Sequence, residues 1–489
     1  MSYVETIIFV IYLVGMLGVG IYFFFKSKAD VGEKAYFLGN RQMGPWVSAL
    51  SAGASDMSAW SLMGLPASVF ALGMGQTWIG VGLLIGYALS WIIEAPRLRR
   101  FTIVADDSIT IPQYLTNRFK SSNGAIRIMC AVLFLVAYTI YAASSMKACG
   151  TLFHTVTGMD ASSAMYLSAL IIILYTFLGG YSAVCWTDFF QGMLMLAALL
   201  LAPIVALGML NSGAGVMTAE EIAAEVPGYW SFFETDWRDI VSGLGWGLGY
   251  FGMPHIIVRF MSIKSESDVK KSSVIGIVWT AIILGFGCAV GPIGRMLLGD
   301  IADSSTVFIQ VVRYIFPAVI SGVLLSAILA AAMSSADSQL LAASGAFASD
   351  VYKPIIRKNK ANDAEMMWAG RLIVVAISIV AVLIASNPNS GTIMGLVGNA
   401  WGLFGAAFGP AIVLSLYWKR FNFAGAAAAI LVGGIVDILW LSFLSSTGVY
   451  EIVPASIAGI IAAVVVTLAT PAPSKEVEEL FDASVAYKG

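Results

Sequence analysis

The chain has 489 residues, 59% of them hydrophobic and 11% charged, with a mean hydropathy of +0.85. A soluble core of this length needs far less apolar surface, so the composition predicts a polytopic membrane protein. A formal net charge of −2 offers nothing to a nucleic-acid backbone, and Cys130, Cys149, Cys185 and Cys288 lack any metal or redox spacing and read as packing residues.

Met1 to Glu5 contains no Lys or Arg ahead of the apolar stretch 6–25, so that stretch is expected to stay as a first membrane helix, not to leave as a signal peptide. Uncharged windows then predict thirteen membrane helices, at 6–25, 43–71, 76–94, 127–147, 161–181, 188–210, 240–260, 273–294, 312–346, 367–386, 392–418, 422–443 and 451–470. With the N-terminus outside, only Lys147, Arg238, Arg295 and Arg313 of the 27 Lys and Arg residues lie outside, as the positive-inside rule requires. The outer loop 212–239 is acidic, the inner segment 350–366 carries Lys353, Arg357, Lys358 and Lys360, and no signalling domain is expected after the thirteenth helix.

Between Arg41 and Glu94 the one formal charge is Asp56, in the run Ser51-Ala-Gly-Ala-Ser-Asp-Met-Ser-Ala-Trp60. A carboxylate at mid-membrane depth costs roughly 2.5–3.5 kcal/mol, which implies a compensating cation or a water-lined cavity. Gly53, Gly64 and Pro66 loosen the same helix, and an interrupted backbone there exposes carbonyl oxygens. A second weak spot runs from Gly243 to Pro254 with glycines at 243, 245, 247, 249 and 252. Paired interruptions of this kind mark inverted-repeat secondary transporters, whose cargo binds at the breaks. Close helix packing through small residues is the other use of such glycines.

These residues carry a resemblance. The run 51–60 with Met63-Gly-Leu-Pro66, then Phe177-Leu-Gly-Gly-Tyr-Ser-Ala-Val-Cys-Trp-Thr-Asp188, Gly245-Trp-Gly-Leu-Gly-Tyr-Phe-Gly252 with Pro254-His-Ile256 and Arg259-Phe-Met261, and Leu325-Ser-Ala-Ile-Leu-Ala-Ala-Ala-Met-Ser-Ser335 resemble the sodium/solute symporter family, most closely its bacterial proline-transporting branch. The similarity extends from the first helix to Tyr450-Glu-Ile-Val-Pro454. It implies an all-α, LeuT-type five-plus-five inverted-repeat fold with one helix before the repeats and two after. The expected division is 1–42 for the first helix and inner loop, 43–211 and 240–420 for the repeats, 212–239 for the outer loop, 421–470 for the last two helices and 471–489 for a cytoplasmic tail.

Carried over by resemblance, a sodium site lies between the second and ninth helices, with the carbonyls of Ala54, Met57 and Ala331 and the hydroxyls of Ser334 and Ser335 as ligands. Hard oxygen donors suit that ion, and 331, 334 and 335 share a helical face by spacing. Back-bonding of Ser334 and Ser335 to the preceding turn is the alternative. Asp56 joins the site as ligand, as source of field or as shaper of the unwound backbone. Ser55 and Ser58 face either ion or substrate. Trp60, Tyr141, Trp246 and Tyr250 match the family's pocket positions, and aromatic faces suit both the ring and the ammonium of proline. Packing or interfacial roles remain open for each of them alone.

Three further membrane acids stand out. Asp188 reads equally as an ion ligand or, with Gln191, as a helix N-cap. Asp337 departs from the resembled pattern, and with Asp188 and Ser338 it forms a candidate second cation site. Asp437, outside the repeats, reads as a helix contact. Of the two histidines, His255 is expected to pack through a hydrogen bond. The expectation is therefore an inner-membrane sodium:proline symporter, functional as a monomer in the lipid bilayer, not an enzyme, with sodium as its coupling ion and no organic cofactor. A symporter for another small solute and a cation channel are the alternatives.

Overall fold

A computed structural model describes residues 3–26, 33–121, 124–178, 180–387 and 389–487. The described chain is helical apart from turns and one isolated parallel bridge, Met43 with Ile263. Ten helices among the described residues are long and apolar enough to cross a membrane. They are α1 (Tyr3–Lys26), α3 (Met74–Val104), α4 (Ala125–Thr157), α6 (Tyr181–Asn211), α8 (Glu266–Leu298), α9 (Ala318–Ile356), α10 (Asp363–Ser386), α11 (Ile393–Tyr417), α12 (Phe423–Thr447) and α13 (Ile452–Ala469). Helix α5 (Ala161–Leu178) and two interrupted helices complete the set of thirteen. Helix α2 consists of Pro45–Asp56 and Trp60–Leu72, and α7 of Trp237–Gly245, Trp246–Phe251 and Pro254–Ser262.

Several helices outrun their uncharged windows, because arginines and lysines at their ends reach polar backbone without ending the helix. On α3, Arg99 donates to the carbonyls of Ile263 (2.8 Å) and Lys264 (2.7 Å). On α4, Lys147 reaches the carbonyl of Gly391. The predicted ninth helix instead divides, since Val307–Ile315 is a separate short helix and Pro317 caps α9. A larger correction falls on α6, which starts at Tyr181 after an extended Gly180. This puts Asp188 two turns inside the helix and removes its reading as an N-cap.

Burial separates core from periphery. In α9 and α11, 78% and 83% of the apolar window is buried, against 28% in α1 and in α12, which face lipid. Helix α2 packs on α6, α8, α9 and the second half of α7, so its interruption lies at the centre. Glycine is required where α7 is crossed: a Cβ on Gly86 of α3 would lie 2.1 Å from the Gly247 carbonyl oxygen, and one on Gly249 would lie 2.0 Å from Trp401 Nε1. The glycines of α7 therefore serve the break and the close packing together.

After α13, helix Lys475–Ala486 folds back onto the end of α3. Buried Arg118 lies over the rings of Phe101, Phe119 and Phe481, and Lys419 pairs with Asp482 at 2.7 Å.

Candidate functional site

The break of α2 begins at Met57, where φ −73° and ψ 65° leave the helical region. The Met57 amide still bonds to the Gly53 carbonyl (2.8 Å), but the Ser58 amide turns back to the Asp56 carbonyl (2.7 Å), and a wide turn, Trp60–Gly64, restarts the helix. Pro66 fits this arrangement because it opens the regular helical stretch Leu65–Leu72 directly after the wide turn, where an amide donor is not needed.

Helix α9 passes beside this break. Ser334 Oγ donates to the carbonyls of Ala54 (2.8 Å) and Ala331 (3.1 Å), so three oxygens expected from the sequence converge. Ser335 Oγ, fully buried on the next position, has no hydrogen-bond partner among the described residues. An unsatisfied hydroxyl costs about 1–3 kcal/mol. A buried oxygen of this kind, one position along α9 from Ser334, suits a small hard cation held by oxygens. Met57 is buried in the same segment, and its carbonyl accepts a long contact from Ser61 Oγ (3.4 Å).

Asp56 is fully buried, and its carboxylate turns to α7, where the Tyr250 hydroxyl donates to Oδ2. Oδ1 has no hydrogen-bond partner among the described residues. The backbone carbonyl of the same residue accepts from Trp60 Nε1 (3.1 Å) and from the Tyr141 hydroxyl (3.4 Å). Asp56 thus ties three of the four expected pocket aromatics to the α2 break. Ser58 is buried there too, with Oγ 3.5 Å from the Trp60 amide.

Trp246, the fourth aromatic, sits one turn before Tyr250 where α7 tightens. It stacks on Tyr450 at 4.9 Å between ring centroids, and its carbonyl accepts from Trp401 Nε1 at 2.7 Å. Trp401 and Tyr87 also meet the Tyr250 ring edge to face, at 5.0 and 5.1 Å. Trp401 and Tyr87 lie in apolar runs and Tyr450 in a loop before α13, so no local pattern marks any of the three as a site residue. His255 packs as expected, with its amide and Nδ1 on the Tyr138 hydroxyl (2.8 and 3.3 Å).

The third group of expected residues holds a surprise. Asp188 Oδ2 accepts from Ser51 Oγ (2.6 Å) and from Nη2 of Arg259 (3.1 Å), a buried ion pair between α6 and α7. Arg259 Nη2 also lies 2.5 Å from Ser338 Oγ, and Ser338 Oγ lies 3.2 Å from Asp337 Oδ1. In the sequence, Arg259 stands within the Arg259-Phe-Met261 motif with nothing local to mark Asp188 as its partner. Just before α2, Arg41 bonds to Asp107 (2.9 Å) and to the carbonyls of Met261 (2.6 Å) and Ser108 (2.8 Å), linking this segment to α7. Burial pulls the Arg41 guanidinium below its ordinary value, and Asp107 opposes that shift.

This architecture is that of a known class. The chain superposes on a Na+-coupled sialic acid symporter in a substrate-bound outward-open state with a TM-score of 0.79 at 21% identity, covering 97% of this chain and 99% of the other. It also superposes on MhsT in complex with L-phenylalanine at a TM-score of 0.55 and 15% identity, over 87% and 98% of the two chains. The fold is the LeuT-type inverted repeat of secondary transporters.

The sequence goes further than the fold. The sequence model of the sodium:solute symporter family matches residues 36–433. The chain is 44% identical to the osmoregulated proline transporter OpuE of Bacillus subtilis, over 96% of each chain. It is 41% identical to the high-affinity proline transporter PutP of the same organism (96% and 98% covered) and to a sodium/proline symporter of Staphylococcus aureus (96% and 94% covered). The chain belongs to the sodium:solute symporter family.

Proposed function

We propose that this protein takes up L-proline by sodium-coupled symport across the bacterial cytoplasmic membrane, by alternating access and without chemistry on its cargo. Relatives named as proline transporters over nearly their whole length support the substrate. The single observation that most supports the coupling is the meeting of the Ala54 and Ala331 carbonyls at Ser334 Oγ, with the buried Ser335 Oγ of the next residue lacking a hydrogen-bond partner among the described residues. In this reading Ala54, Met57, Ala331, Ser334 and Ser335 hold sodium. Trp60, Tyr141, Trp246 and Tyr250, with Ser58, form the proline pocket. Asp56 acts between the two, fixing the unwound segment through Tyr250 and lending a negative field to the ion.

Proline is zwitterionic, so each coupled sodium carries one net charge inward. At 100 mV this contributes about 2.3 kcal/mol, and a tenfold sodium gradient adds about 1.4, together enough for an accumulation of several hundredfold. We place the N-terminus outside and the tail in the cytoplasm, on the positive-inside distribution. The repeats at 43–211 and 240–420, action as a monomer and independence of any organic cofactor belong to the same proposal.

The test is uptake of labelled proline into proteoliposomes of the purified protein, with and without an inward sodium gradient and with unlabelled competitors. Saturable uptake driven by the gradient and competed by proline is expected. Sodium flux without saturable uptake would mean a channel, and competition by another solute alone would mean another cargo.

A further inference from the structure

Two buried acids outside both proposed sites share one notch on α11. Asp437, inside α12, is 1% exposed, and Glu451, the residue before α13, is 8% exposed. Both press on the same glycine: a Cβ on Gly402 would lie 2.9 Å from Asp437 Oδ1 and 3.5 Å from Glu451 Oε1. Asp437 Oδ1 has no hydrogen-bond partner among the described residues, and the charge that acts on Asp437 is that of Glu451. The other ionisable groups on the elements packed here supply no counter-ion. Arg238 on α7 turns to Asp236 (3.6 Å), Lys147 on α4 reaches the Gly391 carbonyl, Asp239 accepts from Thr235 (3.2 Å), and Tyr141 and Tyr450 are phenols.

We propose that Asp437 and Glu451 form a proton-binding site, holding one proton between them, and that loss of this proton loosens Tyr450 from the cargo pocket. Two carboxylates crowded into one buried space without a cation repel each other, so the first charge is accepted and the second resisted. The proton belongs to the pair and not to either residue. Its link to the pocket is one residue long. Tyr450, directly before Glu451, stacks on Trp246, donates through its hydroxyl to the Gly398 carbonyl (2.6 Å) one turn before Gly402, and donates through its amide to Ser242 Oγ (2.9 Å). Loss of the shared proton sets two negative charges against Gly402. Asp437 is held within a helix, whereas Glu451 lies where a loop joins α13, so Glu451 is the one that yields. Its displacement draws Tyr450 away from Trp246. Cargo is therefore held more tightly with the proton bound than with it lost.

The effect on transport rests on the proposed proline pocket, but the proton itself is read without any cargo. Infrared spectra of the purified protein, recorded from acid to alkaline pH, follow the carbonyl stretch of a protonated carboxyl group. The wild type is expected to lose such a band as the pH rises. In Asp437→Asn and in Glu451→Gln the remaining acid titrates without a like charge beside it, and the loss moves to lower pH. Uptake of labelled proline into proteoliposomes then reads the consequence. Across the pH range in which the wild-type band is lost, the half-saturating proline concentration of the wild type should rise by at least about threefold, and that of either variant should stay level. Spectra of both variants that titrate as the wild type does would overturn the proton site. A wild-type half-saturation that ignores this titration, or a variant that keeps the pH response, would overturn its link to Tyr450. If one variant fails to insert, the other decides by the same two readouts. A wild type that titrates as expected but takes up no proline would sink the choice of cargo and leave the proton site standing.

Discussion

The hydrogen bond from Tyr250 to Asp56 links the two interrupted helices at their breaks, and Tyr250→Phe removes its donor while keeping the ring. Asp56 is fully buried and Oδ1 already has no hydrogen-bond partner among the described residues, so the variant leaves Oδ2 without its donor as well. Loss of a hydrogen bond to such a group costs about 1–3 kcal/mol, or about fivefold to a hundredfold in an equilibrium constant. The effect should fall on sodium, because Asp56 lies on the same unwound segment as the Ala54 and Met57 carbonyls. The ring still packs on Tyr87 and Trp401, so the pocket keeps its shape. In proteoliposomes the sodium concentration for half-maximal uptake should rise by that factor, while proline competition at saturating sodium changes by less than about threefold. An equal loss at every sodium concentration would refute the assignment of this bond to coupling, and so would unchanged sodium dependence.

Asp56→Asn is expected to abolish sodium-stimulated uptake in a protein that still inserts, checked by reconstitution yield alongside uptake; a normal sodium response would remove Asp56 from the mechanism. Ser335→Ala should raise the half-saturating sodium concentration more than it weakens proline binding at high sodium, and a uniform loss would point to folding or substrate instead. Trp246→Ala removes the ring stacked on Tyr450 and should weaken competition by unlabelled proline by roughly 1–3 kcal/mol, the scale of a buried aromatic contact. Unchanged competition there would move the pocket elsewhere.

What was legible in the sequence follows from how local each signal is. The thirteen helices were visible because lipid demands long uncharged runs, and both breaks were visible because glycine and proline interrupt a helix in place. Ala331, Ser334 and Ser335 could be grouped because helical periodicity carries that relation. The partner of Asp188 could not be found this way, since Arg259 lies far along the chain and meets it only where α6 and α7 cross. The cap alternative for Asp188 arose because the predicted helix began at residue 188, whereas the helix starts at Tyr181. Trp401 and Tyr450 escaped for the same reason as Arg259: each is defined by what it touches on α7, not by its neighbours in sequence.

In the proposed reading, coupling between ion and cargo has its physical source in the few residues around Met57. Ser334 Oγ donates to the Ala54 carbonyl, so an ion accepted between these oxygens must turn the hydroxyl proton aside, exchanging one ordinary hydrogen bond for contacts with two lone pairs. The exchange holds the Ala54 carbonyl towards α9. Two residues on, the Asp56 carbonyl carries Trp60 and Tyr141, and its carboxylate carries Tyr250, so the orientation of one peptide segment is read by both sites. An ion that fixes this segment spares the cargo part of the ordering cost, and linkage requires the cargo to do the same for the ion by an equal factor. Proline should therefore tighten sodium binding as much as sodium tightens proline, and any substitution that frees the segment should weaken both effects together.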